Sequence, residues 1–457
     1  MDYADEMHYQ AKPSQAKPSQ ANSSNAILEK AMSFSHIILR GASHIGQQML
    51  DYLLSEGVAQ KKITFWDKKA NSIQNISGVP VLLPFSGSFP LQDTLILHCI
   101  KTLHYDGEDY VKHGYTEHMN ALTLLCPYCG MGSGKRMLIC QPGPFCARIR
   151  CPRQIGREFC YVPYRADTGT SKETLVADKL DFGINTLCTL KCRHCIQYIN
   201  HYPPEKRLNF PLARILADME CVCATHDFIR IACILGGEPF LHPDFSHILA
   251  HLLAQPNVGM VQVASNGICR ISEKNMAVLQ NERVLLRISH YAGALDEKQK
   301  ALLARNLRHL AERGIIHEFY HPTWQIAPIL QKRDCSIAEL EDIKTGCTKS
   351  IDCHSVFNGV YSACDMISTI ALHGVADYIE DKVLLPGETE NLSREALRDR
   401  IIAHHKRPYY QSCAHCDFSD KFVLPGEQGI DSRYAHIGKR DSTMVFSKKE
   451  DMNVQAQ

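Results

Sequence analysis

Short apolar runs alternate with amphipathic stretches along most of this 457-residue chain. From Ser35 the run HIILR has the length and branched residues of a strand, and GASHIG opens a helix through QQMLDYLLSEG. KITFW, ending at Asp67, reads as a second strand, and VPVLL and TLILHC continue the alternation. The pattern predicts a βαβ unit in a small Rossmann-like domain over residues 33–120. A second alternation follows, with strand candidates LDFGINTL, FIRIACIL, GMVQVAS, RVLLRIS and IIHEFY. Between them LARILADMECV, FSHILAHLLA, EKNMAVLQ and DEKQKALLARNLRHLAERG carry apolar residues at helical spacing. Repeated βα units build a parallel sheet. The class expected is therefore α/β, with a partial (β/α)6 TIM-like barrel over residues 171–335.

The flanks read differently. Residues 1–32 contain QAKPSQAKPSQA, a duplicated polar unit that cannot bury a core, and are expected to be a disordered linker. Residues 121–170 form a Cys-rich connector with Cys126, Cys129, Cys140, Cys146, Cys151 and Cys160. CPYCG there has the form of a zinc knuckle, but no second C-x2-C follows within the connector, so zinc, a cluster and unligated thiols all stay open. GMGSGKR is not a phosphate loop, because Cys129 stands where the first glycine belongs and Arg136 where Ser or Thr is needed. Residues 340–425 hold Cys347, Cys353, Cys364, Cys413 and Cys416 around FNGVYSAC, whose NG between strand-like runs signals a hairpin. This is expected to be a small Cys-rich C-terminal domain, with residues 426–457 a loose polar tail.

Composition narrows the function classes. Lys and Arg total 50 against 49 Asp and Glu, which leaves no footprint for nucleic acid or an anionic membrane surface. No apolar stretch spans a bilayer, and the acidic start MDYADEMHYQ does not resemble a secretory signal, so a cytoplasmic protein is expected. Twenty cysteines are many for that compartment, where disulfides are rare, and ligation of a metal or cluster explains a good part of them.

Cys188, Cys192 and Cys195 form C-x3-C-x2-C directly after LDFGINTL, and a second strand candidate ends in GGEP, Gly236 to Pro239. Three thiolates on one tight loop suit a cubane iron–sulfur cluster with one iron left without a protein ligand. The ordered pair of motifs resembles the radical S-adenosylmethionine (SAM) enzymes. The resemblance implies that SAM chelates the open iron and is cleaved by one electron to methionine and a 5′-deoxyadenosyl radical, which abstracts hydrogen from a substrate. It implies an oxidoreductase- or transferase-like enzyme with a flavodoxin- or ferredoxin-type electron donor and a small-molecule or peptide substrate.

Residue roles follow from the same resemblance. GGEP would bond the amino group of SAM, with Gly236 and Gly237 letting the backbone approach, Glu238 supplying a carboxylate and Pro239 ending the strand. Ser265 and Asn266 in ASNG, and Ser289 in RISHY, stand at strand ends where the family places polar groups against SAM; ordinary turn residues are the alternative. His194 occupies the position where the family often has an aromatic near the adenine, or is a zinc ligand in CRHC. Lys191 and Arg193 offset cluster charge or are simply solvated, and His242 reads as a loop residue.

The C-terminal cysteines resemble the auxiliary-cluster extension called SPASM, or its short form, twitch. Gly359 to Cys364 gives G-x4-C and Cys413 with Cys416 gives C-x2-C; Cys347 is better spaced than Cys353 for the first ligand. No cysteine follows Cys416, which limits the expectation to one auxiliary 4Fe-4S cluster on Cys347, Cys364, Cys413 and Cys416, with zinc as the alternative. Cys99, Cys221, Cys223, Cys233, Cys269 and Cys335 read as buried thiols. In the small domain Gly41 and Gly46 match two glycines of a dinucleotide fingerprint, but Ser43 replaces the second; Asp67 is spaced to meet a ribose, and an interaction domain is the alternative. Rival classes for the whole chain are an iron–sulfur electron carrier or redox sensor without SAM chemistry, and a zinc-binding scaffold.

Overall fold

The computed structural model describes residues 24–55, 57–100, 104–121, 174–281, 283–291, 293–320, 324–325, 332–347, 350, 354–387, 392–416 and 422–429. The connector cysteines, Cys126 to Cys160, and Cys353 lie outside the described residues.

A helix, α1 (Ser24–Ser33), occupies the end of the stretch expected to be a linker; its buried Ala31 packs into the core of the first domain. That domain follows the predicted order: β1 (His36–Arg40), α2 (His44–Ser55), β2 (Ile63–Trp66), β3 (Asn75–Ile76), β4 (Val79–Leu82) and β5 (Thr94–His98). After β5 come β6 (His104–Tyr105), α3 (Glu108–Lys112) and β7 (His118–Asn120). The sheet order is β3-β4-β2-β1-β5-β7, parallel apart from the β3–β4 pair. Gly46 is tight against the loop that opens α2, for a Cβ there would sit 1.9 Å from the Gly41 carbonyl oxygen. Asp67 accepts from the backbone N–H of Ala42 (2.7 Å) and of Lys69 (2.8 Å), so both its oxygens hold the glycine loop and its own turn.

The second sheet begins with β8 (Thr174–Gly183), to which β6, from the first domain's stretch of chain, adds as an antiparallel partner. Then come α4 (Leu212–Thr225), β9 (Phe228–Leu235), α5 (Phe245–Ala254), β10 (Val258–Ser265), α6 (Glu273–Leu279), β11 (Val284–Ser289), α7 (Glu297–Glu312) and β12 (His317–Tyr320). All five predicted strands and four predicted helices form, and β8 to β12 pair in chain order, each parallel to the next. Asp296 and Gln299 build a capping box on α7.

The sixth parallel strand is not where a (β/α)6 order puts it. It is β14 (His354–Phe357), and it pairs with β8 at the opposite end of the run from β12. The hairpin predicted at FNGVYSAC is β14 with β15 (Val360–Ser362), turned by Asn358 at φ 43° and Gly359 at φ 89°, the left-handed pair such a turn requires. Asp218 on α4 accepts from Gly359 N (2.7 Å) and from the Arg214 side chain, which ties the hairpin to the first helix of the sheet. The sheet is thus mixed α/β with a parallel centre; β16 (Val383–Leu384) adds antiparallel to β15. The short β13 (Trp324–Gln325) pairs instead with β17 (Phe422–Val423).

Helices α8 (Ile337–Gly346), α9 (Asp365–Leu372) and α10 (Arg394–Lys406) complete the C-terminal region. One face of the parallel run packs Leu180, Phe182, Ile234, Val263 and Leu286 against helices α4 to α7. The other face is polar: Asp181, Cys233 and Gln262 stand side by side across β8, β9 and β10, and Arg287 faces Glu318 across β11 and β12. Lys179 pairs with Asp181 at 2.7 Å, and Arg287 with Glu318 at 2.7 Å. Among the described residues no helix is long and apolar enough to cross a membrane.

Candidate functional site

Strand β8 leads straight into the cysteine loop, and β9 leads into GGEP, because parallel neighbours end on the same side of a sheet. The two motifs touch. Gly237 N donates to Asn185 O (3.2 Å) and to Asn185 Oδ1 (3.0 Å), Glu238 N donates to Leu187 O (2.6 Å), and Asn185 Nδ2 donates to Glu238 O (3.0 Å). The glycines are required by this contact. A Cβ on Gly236 would lie 2.3 Å from Asn185 Oδ1, and one on Gly237 would lie 2.0 Å from Leu187 O and 3.0 Å from the Cys188 Cβ.

Glu238 is wholly buried. Its Oε1 accepts from Ser265 Oγ (2.9 Å) and Phe240 N (3.3 Å); its Oε2 accepts from Asn266 N (3.0 Å) and Ser265 Oγ (3.1 Å). Burial pushes this carboxyl up to about 7, against the pull of the Asn266, Ser265 and Phe240 donors. Asn266 continues the chain of contacts, its Nδ2 donating to Thr189 Oγ1 (3.0 Å) and lying 3.7 Å from Cys188 Sγ. Glu238, Ser265 and Asn266 are therefore one buried assembly beneath the cysteine loop. Ser289, at the end of β11, bonds the Tyr291 side chain.

Each cysteine sulfur of the triad faces donors. Leu190 N reaches Cys188 Sγ at 3.4 Å and the Gln428 amide reaches Cys192 Sγ at 3.5 Å. Backbone N–H groups of Ile199, Gln197 and Tyr198 turn toward Cys195. Burial pushes the Cys188 and Cys195 thiols up and Cys192 up to about 12, with Cys195 adding to the rise at Cys188 and Cys192. Tyr291 is partly buried beside all three cysteines, which raise its phenol beyond what burial does. Among the described residues no three His, Cys, Asp or Glu side chains converge on one metal ion. A cubane attaches each thiolate to a different iron, so three soft sulfurs on one loop with N–H donors around them fit that group better than a single zinc.

The auxiliary candidates lie together at the other side of β8. Cys347 caps the end of α8, Cys364 precedes α9, and Cys413 and Cys416 sit on one short turn. Cys347 is close enough to Cys413 to push its thiol up beyond the effect of burial, to about 11, and Cys364 and Cys413 pack against the same residues, Ala363, Ile367 and Tyr410. Arg333 donates to the carbonyls of Ala414, Cys413 and Cys416 and braces that turn. Ile196 and Tyr198, just after Cys195, pack against Cys364 and Met366, so the two cysteine sets are neighbours.

Sequence reasoning missed Asn185, Tyr291, Arg333 and Gln428. Asn185, in INTLC, carries the one signal that was readable: an asparagine at a strand end beside a motif. His242 is buried, its Nε2 bonded to Phe210 O at 3.0 Å, a structural position consistent with a loop residue.

No family model and no curated protein matches the chain. Partial likeness to solved structures is found. BtrN in complex with AdoMet and 2-DOIA is 12% identical, with TM-score 0.35, over 54% of this chain and 98% of that one. Native anSMEcpe with bound AdoMet and Cp18Cys peptide is 13% identical, with TM-score 0.25, over 32% of this chain and 42% of that one. Streptococcus suis SuiB bound to precursor peptide SuiA is 18% identical, with TM-score 0.26, over 32% and 33%. These neighbours are radical SAM enzymes. The chain spans less than half the length of anSMEcpe and of SuiB in these matches, and overlap this partial leaves the chemistry to be read from the site's own residues.

Proposed function

We propose that this chain is a radical SAM enzyme, with Cys188, Cys192 and Cys195 holding a 4Fe-4S cluster and SAM bound between that loop and the ends of β9, β10 and β11. The observation that carries the reading is the contact of Gly236 and Gly237 with the cysteine loop, which makes one site of two motifs 40 or more residues apart. When bound and reduced, the cluster would supply the electron that cleaves SAM to a 5′-deoxyadenosyl radical, which takes hydrogen from the substrate.

The chain's residues divide the remaining work. Glu238 brackets the ends of β9 and β10 by gathering Ser265, Asn266 and Phe240, which leaves the Gly236–Gly237 backbone to meet the ammonium of SAM. Asn266 links that bracket to the cysteine loop, and Ser289 and Tyr291 line the β11 side. Cys347, Cys364, Cys413 and Cys416 hold an auxiliary cluster, and a flavodoxin- or ferredoxin-type protein donates electrons. The polar face with Asp181, Gln262, Arg287 and Glu318 suits a substrate rich in hydrogen-bonding groups, a polar small molecule or a peptide.

The test is chemical. Anaerobically reconstituted, reduced protein given SAM should release 5′-deoxyadenosine, and Cys192→Ala should lose at least about a hundredfold of that release. A protein that binds iron and sulfide yet releases none would be an electron carrier instead. Zinc without iron would mark a scaffold.

A further inference from the structure

The cysteine loop is completed from the far end of the chain. Gln428 forms an antiparallel bridge with Cys192. Arg193 N donates to Glu427 O (2.7 Å), Gly429 N donates to Lys191 O (2.8 Å), and Lys191 N donates to Gln428 Oε1 (2.7 Å). Asn200 adds a side-chain bond to Gly429 O, and Arg193 pairs with Glu427 at 2.9 Å. The polar tail expected from residue 426 therefore does not start there: Gly426–Gly429 lie along the loop, joined to it by a single antiparallel bridge. The segment is anchored upstream as well. β17 pairs with β13, Trp324 of β13 meets the Tyr291 ring edge-on at 5.4 Å, and Gly426 (φ +77°) is buried against that same ring. A Cβ on Gly426 would come within 2.6 Å of the Tyr291 Cγ.

Two backbone bonds, the Lys191 bond to Gln428 Oε1 and two anchors already hold the segment. The Gln428 side chain adds something they do not: its amide N–H group faces the sulfur of Cys192 at 3.5 Å. We propose that Phe422–Gly429 is a strap that closes the cysteine loop, and that Gln428 is a positioning residue that sets the reduction potential of the cluster held there. The proposal rests on the cluster reading above. Hydrogen bonds to the sulfurs and exclusion of water are two of the levers that set such potentials. A donor aimed at a thiolate stabilises the reduced, more negative cluster, so its removal lowers the potential.

Two readouts separate the strap from the cluster. In metal-free protein the Lys191 and Arg193 amides should exchange slowly with deuterium. They should speed up at least about tenfold in a chain ended at residue 421, but not in one ended at residue 430. In the reconstituted full chain Gln428→Leu should lower the potential of the SAM-responsive cluster. The reduced-to-oxidised ratio at a fixed poise should fall about tenfold, which is ~59 mV for one electron. Gln428→Glu keeps the acceptor for Lys191 N while removing the donor to Cys192, so its Lys191 amide should stay protected while the potential falls. Unprotected Lys191 and Arg193 amides in the wild type would overturn the strap. An unchanged potential in both variants would overturn the role of Gln428, whereas a wild type that takes up no cluster would overturn the reading beneath it.

Discussion

Gly237→Ala should empty the cysteine loop of iron while leaving the first domain folded. The added Cβ would lie 2.0 Å from Leu187 O, a backbone atom held in place because Leu187 O also accepts from Glu238 N at 2.6 Å. No rotamer change relieves a clash between two backbone-borne atoms. Forcing such an overlap costs about 1–3 kcal/mol or more, and relaxation must move either GGEP or the loop. Moving them breaks the bonds from Gly237 N to Asn185, which would leave buried groups unpaired at about 1–3 kcal/mol each. Iron bound by the loop should fall at least about tenfold for the first 1.4 kcal/mol lost. The check is iron and sulfide content in a background lacking the auxiliary cysteines, with circular dichroism to confirm that the rest of the chain folds. A Gly237→Ala protein with a full complement of loop iron would show that GGEP and the triad are not coupled.

Glu238→Ala should be nearly as damaging, through a different mechanism. It leaves Ser265 Oγ, Asn266 N and Phe240 N buried without their acceptor, at about 1–3 kcal/mol for each group that finds no other. Glu238→Gln is milder and reveals the ionisation. Burial holds this carboxyl at about 7 in the folded chain, above its ordinary 4.5. A folded value raised in this way means that the group's contribution to stability is fully present below pH ~4.5 and is lost as the pH rises through about 7. The span corresponds to about 3 kcal/mol. Metal-free wild type should therefore lose about that much stability between pH 4.5 and 8 relative to Glu238→Gln, read from denaturant midpoints at each pH. Parallel curves for the two proteins would mean that Glu238 titrates normally.

Much of this arrangement was legible in the sequence for local reasons. HIILR and FIRIACIL are strands because branched apolar residues fill short runs between turn signals. NG in FNGVYSAC announces its turn because only residues tolerant of positive φ fit there. The triad and GGEP were legible because metal chemistry and close backbone approach each restrict residue type.

What was hidden is tertiary. Nothing local says that β14 will dock on the free edge of β8, as either edge of a parallel strand offers the same backbone groups. Glu238 reads as a ligand for an ammonium group until the fold places three donors on its two oxygens. Asn185 and Gln428 are ordinary polar residues in their own segments, and they acquire roles only when the chain brings Gly237 and Cys192 against them. The tail boundary at residue 426 failed for the same reason: PGEQG has the composition of a loose turn, and its partner lies 236 residues earlier.

The most direct measurement is electron paramagnetic resonance of the reduced, reconstituted protein in a background where Cys364 and Cys413 are alanine, with and without SAM. Three thiolates from Cys188, Cys192 and Cys195 leave one iron open, so added SAM should change the spectrum of a 4Fe-4S signal that Cys192→Ala abolishes. A spectrum indifferent to SAM, or a 4Fe-4S signal that survives Cys192→Ala, would contradict the assignment.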